Sequence, residues 1–390
     1  MKNINRRKFL GLSVLAGAGA IVAPQVAIAS VKESEEESVI PTRMLGKTGL
    51  EIPILSMGVM RADNPAVVRA AYNSGLTHFD TAHGYQNGRN EEMLGEFFKD
   101  KDRSTFTIAT KGKANVDSEN FEQEYEELLN TSLRRLQMDY VDVFYAHAIE
   151  NEGEVQNPRL IAILQKFKAE GKIKHIGFST HANKPKQIEE AIEAGVYEVV
   201  LISYNFTLGI RKELDELLQR GTEAGIGFVA MKTMVGGVED ANGEKKVDGA
   251  ACLRWAWQNP NITTAVPGFT SFDLLENCLE AAYSPELKES DIRYLAGLGQ
   301  KELLYCQNCG QCVSQCEKHL PIPTIMRAYM YNYGYKQPSL SKDTLAELAL
   351  SSNECSECKE CSVTCTQGFN VADKIAAITP IVNVPSYFLA

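Results

Sequence analysis

The sequence predicts an α/β protein in which a (β/α)8 TIM barrel precedes a smaller, mainly α-helical C-terminal domain. Eight short, almost continuous apolar runs alternate with amphipathic stretches between Ile54 and about Tyr283, close to the ~250 residues of such a barrel. An open, doubly wound sheet is the alternative, but no GxGxxG turn follows the first apolar run. Beyond the barrel, eight of the ten cysteines fall in two short windows, which marks a separate domain with its own site.

A twin-arginine-type signal peptide is predicted at residues 1–29. The letters RRKFL, an Ala- and Gly-rich apolar run and the small residues AIA follow one another there. The run is too short for a comfortable membrane span, so no transmembrane segment is expected in the mature protein. An ordinary signal peptide or an uncleaved anchor is the alternative. Residues 30–41 form an acidic linker, and we expect a periplasmic or otherwise exported protein.

The charge balance argues against one class of partner. The formal net charge is −10, and no stripe of lysine and arginine interrupts the acidic surplus. Because nucleic acid would repel such a surface, no nucleic-acid partner is expected.

The barrel is predicted to occupy residues 42–283. A short hairpin in RMLGKTGLEIP leads into a first strand within Ile54–Val59. Near-continuous apolar runs are typical of parallel strands buried on both faces. The next seven strands are therefore expected in HFDTAHGY, FTIATKG, YVDVFYAHA, IKHIGFST, EVVLISYNF, IGFVAMKTM and ITTAVPGF. A connecting helix at 284–304 then leads to the last domain, residues 305–390.

Reactive side chains stand at the carboxyl ends of several predicted strands. Asp80 and Tyr85 follow the second strand, Lys111 ends the third and His147 ends the fourth. The carboxyl ends of barrel strands form the active face, so these four side chains are expected to meet at one mouth.

These four residue types suit proton donation to a carbonyl that becomes an alkoxide. A phenol has an ordinary pKa of about 10, and a neighbouring ammonium group lowers it. A carboxylate can hold that ammonium group charged, and an imidazole can orient the reacting oxygen. Reduction of a carbonyl group needs such a proton donor and also a source of hydride.

The segments FDTAHGYQNGRNEEMLG, TIATKGK, IGFST, SYN and PGFTSFDLLEN resemble those of the aldo-keto reductases, from about Thr42 to Tyr283. The resemblance implies Tyr85 as general acid, Lys111 as the group that lowers its pKa, Asp80 as the partner of Lys111, and His147 as the group that orients the carbonyl. It also implies a nicotinamide cofactor, NADP or NAD, across the mouth. Its binding residues would be Ser179, Asn205, Tyr204 (stacked on the ring), Gly268, Phe269, Thr270, Ser271, Glu276 and Asn277.

The chain departs from the family pattern at three places. Thr180 stands where Asn is usual, and Leu201 replaces a Gln that often holds the carboxamide. The loop after Gly268 has no basic side chain of the kind that commonly holds the 2′-phosphate of NADP, so the choice between NADP and NAD stays open. Lys232, at the end of the seventh strand, matches no family role.

The C-terminal cysteines repeat the spacing C-x2-C-x2-C-x3-C, which is that of bacterial ferredoxins with [4Fe–4S] clusters. In that arrangement the fourth cysteine of one run reaches the neighbouring cluster. Two clusters are therefore predicted, one on Cys306, Cys309, Cys312 and Cys365 and one on Cys355, Cys358, Cys361 and Cys316. Zinc sites and disulfides are the alternatives.

Together these features predict an exported aldo-keto reductase-type oxidoreductase with two [4Fe–4S] clusters for electron transfer. Its substrate would be a small carbonyl compound or alcohol, such as a sugar-like molecule, and its electrons would pass to a redox partner protein or a quinone-linked acceptor. An electron-transfer or binding protein with a non-catalytic barrel is one alternative. A reductase whose clusters are purely structural is another.

Overall fold

A computed structural model describes residues 39–113, 115–235, 247–299, 305–348, 350, 354–355, 358 and 361–389. The predicted signal peptide and most of the acidic linker lie outside the described residues.

The chain enters through an antiparallel hairpin, as expected, with β1 at Thr42–Met44 and β2 at Glu51–Pro53. Eight parallel strands follow and pair in chain order, each with the next. They are β3 Met57–Gly58, β4 His78–Asp80, β5 Thr107–Gly112, β6 Val141–Ala146, β7 Ile173–Thr180, β8 Val199–Ser203, β9 Gly227–Met231 and β10 Ile262–Ala265. The eight predicted strands are confirmed, although the first is shorter than its apolar run.

Backbone contacts between the first and last strands close the sheet into a barrel. Leu55 bridges Ala265 and Gly58 bridges Gly268, and the Gly58 amide donates to the Pro267 carbonyl at 2.9 Å. A Cβ on Gly58 would lie 2.6 Å from the Val266 carbonyl oxygen, so this approach requires glycine. The predicted (β/α)8 barrel is thereby confirmed.

In the described part of the chain, eight helices surround the barrel and bury their apolar faces against it. They are α1 Pro65–Asn73, α2 Arg89–Phe98, α3 Phe121–Leu136, α4 Pro158–Ala169, α5 Lys184–Ala194, α6 Arg211–Ala224, α7 Gly249–Trp257 and α8 Phe272–Tyr283. Local sequence fixes where several begin. The Asn64 and Asn157 side chains, for example, accept backbone amides of the first turns of α1 and α4, and each helix has proline at its start.

The interior of the barrel is filled at the end where the hairpin lies. Leu45 and Ile52 of the hairpin region belong to one buried cluster with inward-facing strand residues such as Val143, Val199 and Val229. Because apolar side chains fill that end, a ligand site inside the barrel lies at the opposite end, where the strands finish.

The C-terminal domain is mainly helical, as predicted. Helix α9, Glu289–Gly299, packs against α7, and Arg254 of α7 forms a buried ion pair with Asp291 at 3.3 Å. Helices α10 Ile322–Tyr333, α11 Pro338–Ala346 and α12 Val371–Ile378 then share a separate apolar core. No helix within the described ranges is long and apolar enough to span a bilayer.

Helix α10 and its neighbours lie across the carboxyl ends of the barrel strands, which the sequence did not predict. Arg327 of α10 forms an ion pair with Glu150, from the loop after β6. The Gln307 side chain accepts a hydrogen bond from Asn205, at the end of β8, at 3.1 Å. The C-terminal domain therefore forms the outer wall of the barrel mouth.

Candidate active site

The structure brings the four predicted catalytic residues together at the barrel mouth. Asp80 ends β4, Lys111 lies in β5, His147 follows β6, and Tyr85 begins a short 3-10 turn after β4. Tyr85, His147 and Asp80 line one cavity, and Lys111 lines a second cavity that Tyr85 and His147 share.

Lys111 and Asp80 form a buried ion pair beneath Tyr85. Lys111 Nζ donates to Asp80 Oδ1 at 2.5 Å and to the Thr81 carbonyl at 2.6 Å, and both charged side chains are almost fully buried. Burial lowers the pKa of Lys111 and raises the pKa of Asp80, while the attraction within the pair opposes both shifts. The Lys111 ammonium therefore depends on Asp80 for its charge.

Tyr85 lies between this pair and His147. Lys111 Nζ is 5.2 Å from the centre of the Tyr85 ring, and the Tyr85 and His147 rings meet edge to face with centres 6.0 Å apart. Burial raises the pKa of Tyr85 well above its ordinary value, and the charge of Asp80 raises it further. The lowering of the Tyr85 pKa that was expected from Lys111 is not found, and burial keeps Tyr85 protonated.

Two neutral imidazoles line the mouth. Burial lowers the pKa of His147 well below its ordinary value, with further lowering by Lys111, Lys113 and Arg327. His181 shows the same direction, again first through burial. Its buried Nδ1 has no hydrogen-bond partner among the residues that the structure describes. A ligand atom could therefore pair with it, and the sequence analysis did not identify this residue.

Two cavities meet at these groups, one of about 120 Å³ and one of about 220 Å³. Both reach Tyr85, His147, His181 and Tyr331 of α10. The first extends toward the ends of β8 to β10, and the second extends toward α11. The first is also lined by Gly58, Met60, Arg61, Asp80, Leu201, Met231, Lys232, Thr233, Met234, Val266, Pro267, Gly268 and Tyr335.

The residues predicted to bind the carboxamide, Ser179 and Asn205, form hydrogen bonds with other parts of the protein. Ser179 Oγ accepts the Ala148 amide at 2.9 Å. The Asn205 side-chain nitrogen donates to the Lys232 carbonyl at 3.2 Å and to Gln307. Neither residue lines the first cavity, because both are tied to neighbouring loops.

Tyr204 packs against the surrounding helices and does not line the first cavity, and its stacking role stays a prediction. Its ring stacks on Trp255 of α7 with centres 5.2 Å apart, and its hydroxyl donates to Asp215 of α6 at 2.7 Å. Side chains alternate between the two faces of a strand. Leu201 faces the interior of the barrel, so Tyr204, three residues later, faces the surrounding helices. Met231 of β9 takes the inward position beside Leu201.

The residues predicted to hold the rest of the cofactor are spread along the start of α8. Gly268 lines the first cavity, whereas Phe269 is buried in the core. Ser271 caps α8 by accepting the Leu274 amide at 3.2 Å. The remaining three lie outside the cavity lining, with Thr270 and Glu276 exposed and Asn277 partly buried.

The lining of the first cavity fits a nicotinamide ring. Leu201, Met231 and Val266 give an apolar floor beside Tyr85, and Gly268 leaves the edge without a side chain. An apolar floor with a few convergent polar groups is the usual form of a cofactor site.

Eight of the ten cysteines form two groups, and no disulfide joins any of the ten. Burial raises the pKa of Cys306 to about 12, and Cys312, Cys309 and Cys365 raise it further. Burial also raises the pKa of Cys355, and Cys358, Cys361 and Cys316 add to it. Cys365 therefore lies near enough to influence Cys306, and Cys316 near enough to influence Cys355, although Cys316 also influences Cys312 of its own run. These soft ligands fit iron–sulfur clusters.

No ligand set for a single metal ion occurs among His, Cys, Asp and Glu side chains in the described segments.

Fold and site together define a barrel oxidoreductase with an appended iron–sulfur domain. The aldo/keto reductase family model matches residues 53–250, and a 4Fe-4S dicluster domain matches residues 305–370. The chain belongs to the aldo/keto reductase family.

Similar proteins of other organisms are named as aldo-keto reductases or as sugar dehydrogenases. An aldo-keto reductase of Glycine max is 28% identical over 47% of this chain and 57% of its own length. The L-galactose dehydrogenase of Arabidopsis thaliana is 30% identical over 51% of this chain and 67% of its own. The chain thus spans little more than half of the soybean protein.

A solved aldo-keto reductase from Bacillus halodurans, in its holo form, shares the fold with a TM-score of 0.55. It is 21% identical, and the match covers 70% of this chain and all of that one.

Proposed function

We propose that this protein transfers a hydride between NAD or NADP and a small carbonyl or alcohol substrate at Tyr85. The observation that carries the proposal is the convergence of Tyr85 and His147 on one cavity above the buried pair of Lys111 and Asp80. When bound, the nicotinamide supplies or accepts the hydride.

The residues of the chain supply the proton that the reacting oxygen receives. Tyr85 keeps its proton because burial raises its pKa, so its hydroxyl can donate to an oxygen that gains negative charge. His147 is neutral, so one ring nitrogen can donate a hydrogen bond that orients the carbonyl. The Lys111 ammonium lies close enough to stabilise the phenolate left on Tyr85.

The part of the site beside Gly268 is narrow, and α10 forms one of its walls. Ligand pockets usually measure ~300–1,000 Å³, whereas the cavity beside Gly268 measures about 120 Å³. Tyr331 and Tyr335 form the wall of that cavity on the side of α10. We infer that α10 withdraws when a dinucleotide enters. The start of α8 offers no basic side chain at the predicted 2′-phosphate position, so NAD and NADP remain equal candidates.

The second domain would hold two [4Fe–4S] clusters that pass electrons between the barrel and a redox partner protein or quinone-linked acceptor. The cluster nearer the barrel would use Cys306, whose neighbour Gln307 bonds to Asn205 at the end of β8. This contact gives the cluster a short route to the mouth. The dinucleotide could thereby be reoxidised or reduced without leaving the protein.

We also propose that the protein is exported, to the periplasm or beyond, by the twin-arginine route. Clusters assemble on thiolates, which persist in a reducing compartment. A protein that carries them should therefore fold before it leaves the cytoplasm. The RRKFL segment is the feature that supports this route. The substrate would be sugar-like, in keeping with the name of the Arabidopsis relative.

A Tyr85→Phe variant tests the catalytic assignment. Loss of the donor hydroxyl should lower kcat by about 10²–10⁴-fold, the usual contribution of a general acid. The assay is oxidation or reduction of a panel of sugars and simple carbonyl compounds with NADH and NADPH, using protein purified without oxygen. Tyr333→Phe, which alters an exposed tyrosine outside both cavities, is the control. Full activity in Tyr85→Phe would exclude Tyr85 as the acid.

A second candidate is an electron-transfer protein with a non-catalytic barrel. It is favoured by the positions of Ser179, Asn205 and Tyr204, whose polar atoms bind other parts of the fold. Equilibrium dialysis of the anaerobic protein against NADH and NADPH distinguishes the two. Absence of binding, together with redox-active clusters, would establish the second candidate.

A further inference from the structure

The buried imidazole of His181 lines the barrel mouth without a hydrogen-bond partner. The residue is 6% exposed, and its Nδ1 has no partner among the residues that the structure describes. It lines both cavities at the mouth. Burial lowers the pKa of His181 well below its ordinary value, so the ring is neutral and can donate one hydrogen bond and accept another. A buried polar atom without a partner is costly, which indicates that a ligand supplies one.

Tyr331 of α10 brings a second group of this kind from the C-terminal domain. It is 7% exposed and also lines both cavities. Its ring lies 5.0 Å from Lys232 Nζ and 5.8 Å, centre to centre, from the ring of Tyr335. Within the described segments its hydroxyl makes no hydrogen bond. Burial raises the pKa of Tyr331, so the hydroxyl keeps its proton and can both donate and accept.

The second cavity suits a small, neutral ligand. Three of the cations that line it are each bound to a carboxylate: Lys111 to Asp80, Arg327 to Glu150, and Lys113 to Glu347. The lining residue Asp343 is exposed, so solvent can satisfy its charge. At about 220 Å³ the cavity is smaller than the ~300–1,000 Å³ of ordinary ligand pockets. Because its charges are satisfied and its neutral polar groups are not, we expect a ligand with hydroxyl groups rather than a charged one.

We propose that His181 and Tyr331 bind a hydroxyl group on the carbon next to the reacting carbonyl. The substrate is then an α-hydroxy carbonyl compound, or the vicinal diol that corresponds to it. This inference rests on the proposed function, in which Tyr85 and His147 bind the carbonyl oxygen. All four side chains line both cavities, so the two groups of the ligand that they bind lie on neighbouring atoms.

A hydroxyl group matches the two side chains chemically. It donates one hydrogen bond and accepts others, and the neutral imidazole and the phenol do the same. The C-terminal domain would thus have a role besides holding its cysteines, because the substrate pocket is incomplete without Tyr331.

Hydroxyacetone and acetone are the probes, since they differ by one hydroxyl group next to the ketone. Their binding is measured by saturation-transfer NMR on the anaerobic holoprotein, and their reduction is assayed with NADH and NADPH. His181→Leu removes both ring nitrogens, and His181→Gln restores a donor and an acceptor. Tyr331→Phe removes only the hydroxyl. Tyr333→Phe is the matched control, because Tyr333 lies on the same helix but is exposed and lines neither cavity.

We expect the unaltered protein to prefer hydroxyacetone over acetone at least 100-fold in kcat/KM. A ligand without the hydroxyl leaves the buried groups of the protein unpaired. His181→Leu and Tyr331→Phe should each reduce this preference at least tenfold, mainly by raising KM for hydroxyacetone. His181→Gln and Tyr333→Phe should keep it within threefold. General damage to the fold would lower the values for both ketones alike and would leave the preference unchanged.

A preference that neither His181→Leu nor Tyr331→Phe alters would overturn the proposal and leave the proposed function standing. Equal binding of the two ketones by the unaltered protein would also overturn it. Hydroxyacetone binding that depends on both side chains, in a protein that reduces neither ketone, would retain this site and refute the proposed function. If His181→Leu does not fold, Tyr331→Phe and His181→Gln decide the outcome.

Discussion

At the scale of single residues, Lys232 gives the barrel mouth a pH dependence. Its pKa is lowered to about 7, first by burial and then by Arg327 and Arg61, with Glu150 acting in the opposite direction. The other groups that face it are the phenols of Tyr331 and Tyr335. Below pH 7 the side chain is an ammonium group that attracts an anion, and above it the charge is lost.

We therefore expect the affinity for pyrophosphate to fall as the pH rises through about 7, and to be several-fold weaker at pH 9 than at pH 6. Bound anion stabilises the ammonium form, so the midpoint should lie at or above that value. Calorimetric titration across this range measures the effect. Lys232→Arg stays charged throughout, so its profile should show only the titration of pyrophosphate itself. An equally steep profile in Lys232→Arg would assign the titration to another group.

Side chains alternate between the two faces of a strand, and this alternation shows which residues at a strand end point into the barrel mouth. Asp80, Lys111 and His147 were predicted because polar groups at strand ends stand out against apolar runs. The same alternation carried a signal that was overlooked. Ser179 faces inward, and therefore His181, two residues later, also reaches the cavity. Counting by twos along β8, Tyr204 falls on the same side as the residues that face the helices. Its position outside the barrel mouth could therefore have been predicted.

At the scale of elements, α10 could be predicted as a helix but not as a wall of the barrel site. The sequence PTIMRAYMYNYGY has aromatic and apolar residues on most sides, so its period does not show which face meets the barrel. That information lies in pairs far apart in the chain. Arg327 meets Glu150, and Gln337 donates to the Met60 carbonyl at 3.3 Å. A single sequence does not reveal such pairs.

Two ion pairs between the barrel and the C-terminal domain should differ sharply in strength. Arg327 and Glu150 are largely buried, whereas Lys113 and Glu347 are both about half exposed. Removing one partner of a buried pair costs about 3–5 kcal/mol, whereas an exposed pair contributes about 0–1 kcal/mol. Arg327→Leu should therefore loosen α10, and Lys113→Gln should not.

Hydrogen exchange followed by mass spectrometry measures this difference directly. We expect the amides of Ile322–Tyr333 to exchange at least tenfold faster in Arg327→Leu and at an unchanged rate in Lys113→Gln. If α10 closes the mouth, Arg327→Leu should also bind NADH with a faster association rate. Equal protection of α10 in both variants would show that the apolar contacts of the domain hold it in place without the buried pair.

At the scale of the whole molecule, the two cysteine runs are interdependent if each cluster takes its fourth ligand from the other run. The pKa of Cys306 is raised by Cys312, Cys309 and Cys365, and that of Cys355 by Cys358, Cys361 and Cys316, after burial in each case. The spacing alone predicted this exchange. The folded chain supports it because the two runs, far apart in sequence, pack in one core.

Double variants can determine the ligand sets from iron content alone. With ~8 iron atoms for two [4Fe–4S] clusters, Cys306→Ser combined with Cys365→Ser should damage one cluster and leave about four. Cys306→Ser combined with Cys316→Ser should damage both and leave little iron. If each run instead held its own cluster, the two results would be exchanged, because Cys306 and Cys316 would then share a cluster. Iron and sulfide analysis of protein purified without oxygen makes the measurement. Cys278→Ser, at a buried thiol of α8 outside both groups, controls for general loss of cysteine.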